Sequence, residues 1–137
     1  MSNFGEFPFY YGKKGVRYHT VESFYQMLTE PDEKRRKSIA KMSGKEAKRS
    51  GKSQTLEARF EGKTYILGSA DHHELIKDAI RAKLAQHADL ARRFVETRPR
   101  PIVHLTPGNE SKRFPAPVFC RILTELREEF AARRPFP

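Results

Sequence analysis

An apolar stripe over residues 71–96 does most to limit how this chain folds. Leu75, Ile76, Ala79, Ile80, Leu84, Ala88, Ala91, Phe94 and Val95 recur at the spacing that lines one side of an α-helix. A helix with so continuous an apolar face needs other elements laid against it, so it is predicted as a central packed element. Asp71 with Glu74 supplies cap chemistry at its start, and Pro99 and Pro101 stop it. At 137 residues the chain has the length of one domain, residues 1–137. Its hydrophobic fraction of 37% is low, but ten Phe and five Tyr supply material for a core.

Around that helix the pattern is mixed. Phe7-Pro8-Phe9-Tyr10-Tyr11 and Val16-Arg17-Tyr18-His19 flank the turn residues Gly12-Lys13-Lys14-Gly15, which predicts two short strands. Thr20 then offers a helix N-cap for Val21, Phe24, Tyr25 and Leu28, with Glu22 in the first turn. Pro31-Asp32-Glu33 opens a second helix, with Ile39 and Met42 as its thin apolar stripe. Ser43 and Glu46 have capping-box spacing for a short helix through Ala47-Lys48-Arg49 that Gly51 closes. Residues 51–62 show no strong periodicity. Tyr65-Ile66-Leu67 reads as a short strand before a turn at Gly68-Ser69, and Ile102-Val103-His104-Leu105 as a buried strand. A last helix over 116–133 would pack Phe119, Ile122, Leu123, Leu126 and Phe130. The expected fold class is α+β: a mostly helical domain with a small β-sheet.

Several functions are excluded. No apolar run reaches the ~18–20 residues a membrane span needs, and the start has no basic-then-apolar signal layout, so a cytoplasmic protein with no membrane partner is expected. Cys120 has no partner for a disulfide and reads as a packing thiol. Gly51-Lys52-Ser53 resembles the end of a phosphate loop, but Glu46 stands where the loop's first glycine must be. His72 and His73 are adjacent rather than one helical turn apart, and the other histidines are scattered. No metal site and no cofactor are expected.

Charge and one carboxylate are more informative. The chain carries 27 Lys and Arg against 17 acids, a formal charge of +10. Residues 34–63 alone hold eleven Lys and Arg against three acids, so +8 of that excess lies in thirty residues. Such a segment is either a solvated surface or an attractor of phosphate, on nucleic acid or on a nucleotide. In Thr20-Val21-Glu22-Ser23-Phe24-Tyr25-Gln26, one carboxylate sits among aromatic neighbours. By spacing alone Glu22 is a capping acid; partly desolvated, it would have the controlled proton affinity of a general acid or base.

Taken in order, these segments resemble the NADAR (NAD- and ADP-ribose-associated, YbiA-like) family. Met1-Ser2-Asn3-Phe4 with Phe7-Pro8-Phe9 is similar to its opening segment. Tyr18-His19-Thr20-Val21-Glu22-Ser23-Phe24-Tyr25-Gln26 is similar to its aromatic strand running into Val-Glu-x-x-aromatic-Gln. Glu46-Ala47-Lys48-Arg49-Ser50-Gly51-Lys52 is close to its Glu-Ala-Lys-Arg-x-Gly-Arg motif. Ala79-Ile80-Arg81-Ala82-Lys83-Leu84 and Ile122-Leu123-Thr124-Glu125-Leu126-Arg127 are similar to its long and closing helices.

The resemblance implies a mostly helical α+β fold and hydrolysis of the N-glycosidic bond between ribose carbon 1 and a base nitrogen. Implied substrates are ribosyl-nucleobase compounds and ADP-ribosyl groups, including ADP-ribose on guanine in DNA or RNA. It makes Glu22 the catalytic carboxylate. It puts Asn3, Lys48 and Arg49 at the sugar and phosphate pocket. Stacking chemistry adds Phe4 or Tyr25 against the base, charge-assisted hydrogen bonding sets Lys48 and Arg49 on the diphosphate, and Lys83 and His104 complete the expected substrate-binding residues. The sequence also departs from the family pattern. Thr29 stands at a usual Lys and Gly68 at a usual Trp, and no Asp-x-x-Trp-Gly segment follows residue 105, leaving His104 or Glu110 as substitutes for the second acid. Two other readings follow: a noncatalytic module that binds ADP-ribose or another nucleotide, and a basic, nonspecific nucleic-acid binder.

Overall fold

In the computed structural model, which describes residues 7–43, 46–47, 57–102 and 116–133, the chain opens with the predicted hairpin. Strands β1 (Phe9–Tyr11) and β2 (Val16–Tyr18) pair antiparallel, with Phe9 opposite Tyr18 and Tyr11 opposite Val16. Alternation sends the Phe9 and Tyr18 rings inward, 5.7 Å apart, while Tyr10 stays 57% exposed. Gly12 makes the turn at φ +90°, and a Cβ there would come 2.9 Å from the Phe60 ring. Only glycine meets both demands.

Helix α1 (Val21–Met27) follows from the Thr20 cap, as expected. Helix α2 (Glu33–Ala40) starts where Asp32 accepts the Arg35 N–H at 3.0 Å, and it buries Ile39 and Ala40. Ser43 accepts the Glu46 N–H at 3.3 Å and its hydroxyl donates to the Glu46 carboxylate at 3.0 Å, so the predicted cap forms ahead of buried Ala47. The remainder of that predicted helix lies outside the described residues.

The stretch read as patternless contains a strand. β3 (Glu57–Phe60) pairs antiparallel with β4 (Lys63–Ile66) through a two-residue turn, Glu61 at φ 50° and Gly62 at φ 78°. Two positive φ values in succession match the twist of the flanking strands, and Gly62 takes the second without strain. Among the described residues the predicted single small sheet is thus two separate two-stranded sheets.

By its internal contacts the chain divides into two compact units, Met1–Leu67 and Gly68–Pro137. The first is built on an aromatic cluster. Phe24 meets Tyr11, Tyr18 and Phe60 edge-on at 5.4, 5.0 and 5.5 Å, and Tyr11 stacks on Phe60 at 5.4 Å. Burial pushes the Tyr18 hydroxyl up to about 12; Glu61 adds to the rise and Arg36 opposes it.

The second unit holds the long stripe, but not as one helix. Helix α3 (Ala70–Gln86) ends at His87, whose φ of −130° and ψ of 80° are not helical, and α4 (Ala88–Glu96) starts beyond it. The stripe is buried on both sides of the break, from Leu75 to Leu84 and from Leu90 to Val95. The cap of α3 is Ser69, which accepts the His72 N–H at 3.2 Å, rather than Asp71. His72 is fully buried and its Nδ1 accepts the Gly68 N–H at 3.2 Å; burial, with neighbouring His73, lowers its pKa to about 4.

Helix α5 (Ala116–Ala131) buries Ile122, Leu123, Leu126 and Phe130 as predicted, while Phe119 and Cys120 are only half-buried. Arg81 on α3 forks onto Glu129 of α5 at 2.7 and 3.1 Å, and Lys77 reaches Glu125 at 3.1 Å. The strand read at Ile102-Val103-His104-Leu105 lies mostly outside the described residues, and Ile102 itself is not in a strand. Among the described residues, no helix is long and apolar enough to cross a membrane.

Candidate active site

Helix α1 has seven residues, too few to be stable alone, so its ends fix it. At its start Thr20 and Ser23 cap each other. Thr20 Oγ1 accepts the Ser23 N–H at 2.9 Å, and Ser23 Oγ accepts the Thr20 N–H at 3.0 Å while donating to the Thr20 carbonyl at 2.7 Å. The His19 N–H donates to the Ala40 carbonyl at 2.8 Å, tying the same end to α2. At the other end the Leu28 carbonyl accepts the Arg59 N–H at 2.8 Å and Arg36 Nη1 at 3.4 Å. Between these anchors the buried Phe24 ring is held by its three aromatic neighbours.

That framework aims a second face outward. Ser23, Phe24 and Met27 are buried, while Glu22, Tyr25 and Gln26 are half-buried on the opposite side. Residues three and four apart on a helix are neighbours, so these three side chains share one surface. Gln26 Nε2 donates to Glu22 Oε2 at 3.0 Å, and Thr29 Oγ1 donates to the Gln26 carbonyl at 3.2 Å. The four-residue spacing of Glu and Gln in the motif thus has a physical meaning: the amide orients the carboxylate. A half-buried carboxylate beside an aromatic ring can stabilise a developing cation and take a proton from water.

Of the sequence-predicted site residues, Glu22 and Tyr25 come together on α1. Lys83 lies on α3 in the second unit with no exposed surface. Lysine is seldom fully buried unless its ammonium is engaged. Asn3, Phe4, Lys48, Arg49, His104 and Glu110 lie outside the described residues. Gln26 is the functional residue that the motif alone does not single out; its i, i+4 relation to Glu22 is the signal for it. A groove of about 530 Å³ opens elsewhere in the first unit, and neither Glu22 nor Tyr25 lines it.

No family model and no curated protein matches the sequence. Among solved structures the chain is similar to the NMR structure of the E. coli protein YbiA, with a TM-score of 0.71 and 26% identity, over 97% of this chain and 78% of that one. The fold is YbiA-like, and this likeness supports the resemblance to the NADAR family. In this YbiA-like fold the Glu22 motif forms the start of a capped helix, and the departures from the family pattern at Thr29 and Gly68 fall on half-buried and exposed positions.

Proposed function

We propose that this YbiA-like domain is an N-glycosidase that hydrolyses the bond between ribose carbon 1 and a base nitrogen in an ADP-ribosyl or ribosyl-nucleobase substrate. The observation that carries the reading is the half-buried Glu22 carboxylate, held by Gln26 at 3.0 Å on a helix anchored at both ends, in a YbiA-like fold. As the C1–N bond lengthens, positive charge spreads over C1 and the ring oxygen. The Glu22 carboxylate stabilises that charge and accepts a proton from the water that attacks C1. The base departs with the bonding pair and takes up a proton. Tyr25, with Phe4, would stack on the base, Asn3 would hold the sugar, and Lys48 and Arg49 the diphosphate.

The test is a turnover screen of ADP-ribosylated DNA, ADP-ribosylated RNA and free ribosyl-nucleobase compounds. Wild-type protein should release the free sugar product, and Glu22→Ala and Glu22→Gln should not. A second reading is favoured by the absence of an Asp-x-x-Trp-Gly segment after residue 105: without the family's second acid, the domain would bind ADP-ribose or another nucleotide without cleaving it. Calorimetric binding with no product by chromatography would select that reading.

A further inference from the structure

We infer that the groove of the first unit is a second site, separate from Glu22, that binds the sugar-phosphate backbone of a nucleic-acid strand. The groove, about 530 Å³, is walled by both hairpins and α2. Four elements send an exposed cation to it: Lys14 from the β1–β2 turn, Lys37 from α2, Arg59 from β3 and Lys63 from β4. None of the four forms an ion pair among the described residues. Lys63 Nζ lies 5.0 Å from the centre of the Tyr65 ring, a contact that leaves its charge uncompensated.

Three acids also line the groove, and one of them is ion-paired. Glu30 pairs with Arg35 at 2.7 Å and accepts the Asp32 N–H at 3.1 Å. Glu61 accepts the Lys13 N–H. Among the described residues this leaves Glu33 and Glu61 as lining acids without an ion pair, against those four cations without one, a net excess of two positive charges.

The frame of the groove is already built. Arg36 spends its guanidinium on backbone carbonyls, with Nη1 on Glu30 at 3.0 Å and on Leu28 at 3.4 Å, and Nη2 on Arg59 at 2.7 Å. It holds α2, the end of α1 and β3 together and is not available to a ligand. The cations are distributed around an open groove instead of converging on one point. That distribution suits successive phosphates along a strand better than a single phosphate group, which one or two cations would satisfy. The inference does not rest on the glycosidase reading, since an unmodified strand would bind with Glu22 uninvolved.

The experiment is fluorescence anisotropy with a labelled, unmodified single-stranded DNA of about a dozen nucleotides, titrated between ~50 and ~200 mM salt. A Lys14→Ala/Lys37→Ala/Lys63→Ala variant is compared with Arg17→Ala/Lys34→Ala/Lys41→Ala, which removes the same charge from exposed positions outside the groove. The groove variant should bind about tenfold more weakly than the control variant and lose about two from the slope of log affinity on log salt. Equal weakening of both variants, or none in the groove variant, would overturn the site. Inorganic pyrophosphate at matched phosphate concentration should fail to displace the strand; displacement would make the occupant a small phosphorylated molecule and overturn the strand assignment. If the triple variant does not fold, Lys37→Gln/Lys63→Gln is read against Arg17→Gln/Lys34→Gln by the same criteria. The Glu22→Gln variant should bind the unmodified strand as wild type does, which keeps a failure of this site distinct from a failure of the glycosidase.

Discussion

Replacing Phe24 tests the framework that positions Glu22. Its side chain has no exposed surface and touches three other rings edge-on, Tyr11, Tyr18 and Phe60, at 5.4, 5.0 and 5.5 Å. Truncating a buried Phe to Ala costs ~3–5 kcal/mol through lost transfer energy and the cavity left behind. Phe24→Leu keeps most of the volume and loses chiefly the ring–ring contributions, ~0.5–1.5 kcal/mol for each of the pairs, so a loss of about 2 kcal/mol is expected. Against a typical net stability of ~5–15 kcal/mol, the Ala variant should be severely weakened. Urea unfolding followed by circular dichroism reads both, with an unchanged slope showing that only stability has moved. Tyr10→Ala, on the same hairpin but 57% exposed, should stay within about 0.5 kcal/mol of wild type. A loss below about 1 kcal/mol for Phe24→Ala, or an equal loss for Tyr10→Ala, would refute the aromatic cluster as the core of this unit.

Other outcomes follow from single contacts. Gln26 is a positioning residue, so Gln26→Leu should lower kcat about tenfold on a cleavable substrate with KM unchanged; a change confined to KM would contradict that role. His72 has its pKa lowered to about 4 from an ordinary 6.5, so the unfolded chain takes up a proton before the folded one does. Stability should therefore fall from pH 6.5 towards 4, by about 1.4 kcal/mol at pH 5.5, and His72→Gln should remove that part of the slope in urea titrations across pH. Arg81→Ala breaks a two-pronged, partly exposed pair with Glu129 and should cost about 1–2 kcal/mol, of which Arg81→Lys recovers only part because an ammonium cannot fork. The Arg81 hydrogen bonds hold the Glu129 carboxyl below its usual range, so this contribution is present at neutral pH and is lost in acid.

The elements that were legible in the sequence carry their own boundary chemistry. Thr20 and Asp32 are side-chain caps, Gly12 and Gly15 bracket a turn, and α5 has a clean apolar stripe; each forms where its residues direct. Strand β3 escaped notice because its alternation, buried at Ala58 and Phe60 and exposed at Glu57 and Arg59, uses one small and one large apolar residue among charges. Its turn uses Glu61-Gly62 in place of the usual Asn-Gly or Asp-Gly. The break at His87 has no Gly or Pro to announce it, and buried apolar residues continue on both sides of it, from Leu84 to Leu90. At the candidate site, the motif showed which carboxylate matters, and helical geometry then supplied Gln26 as its partner. The groove was half legible. The basic segment 34–63 indicated a phosphate-seeking surface, but Lys14 joins it only because two hairpins distant in sequence wall the same groove, which no local pattern encodes.

The account turns on Glu22. The most direct measurement is single-turnover release of sugar from an ADP-ribosyl or ribosyl-nucleobase substrate by wild type and by Glu22→Gln, which keeps the side chain's size and its place on α1 but removes the charge. Loss of roughly a thousandfold in rate, with substrate binding retained and an unchanged melting curve, is the predicted result for a carboxylate that stabilises the cationic transition state. Release at the wild-type rate by Glu22→Gln would contradict it.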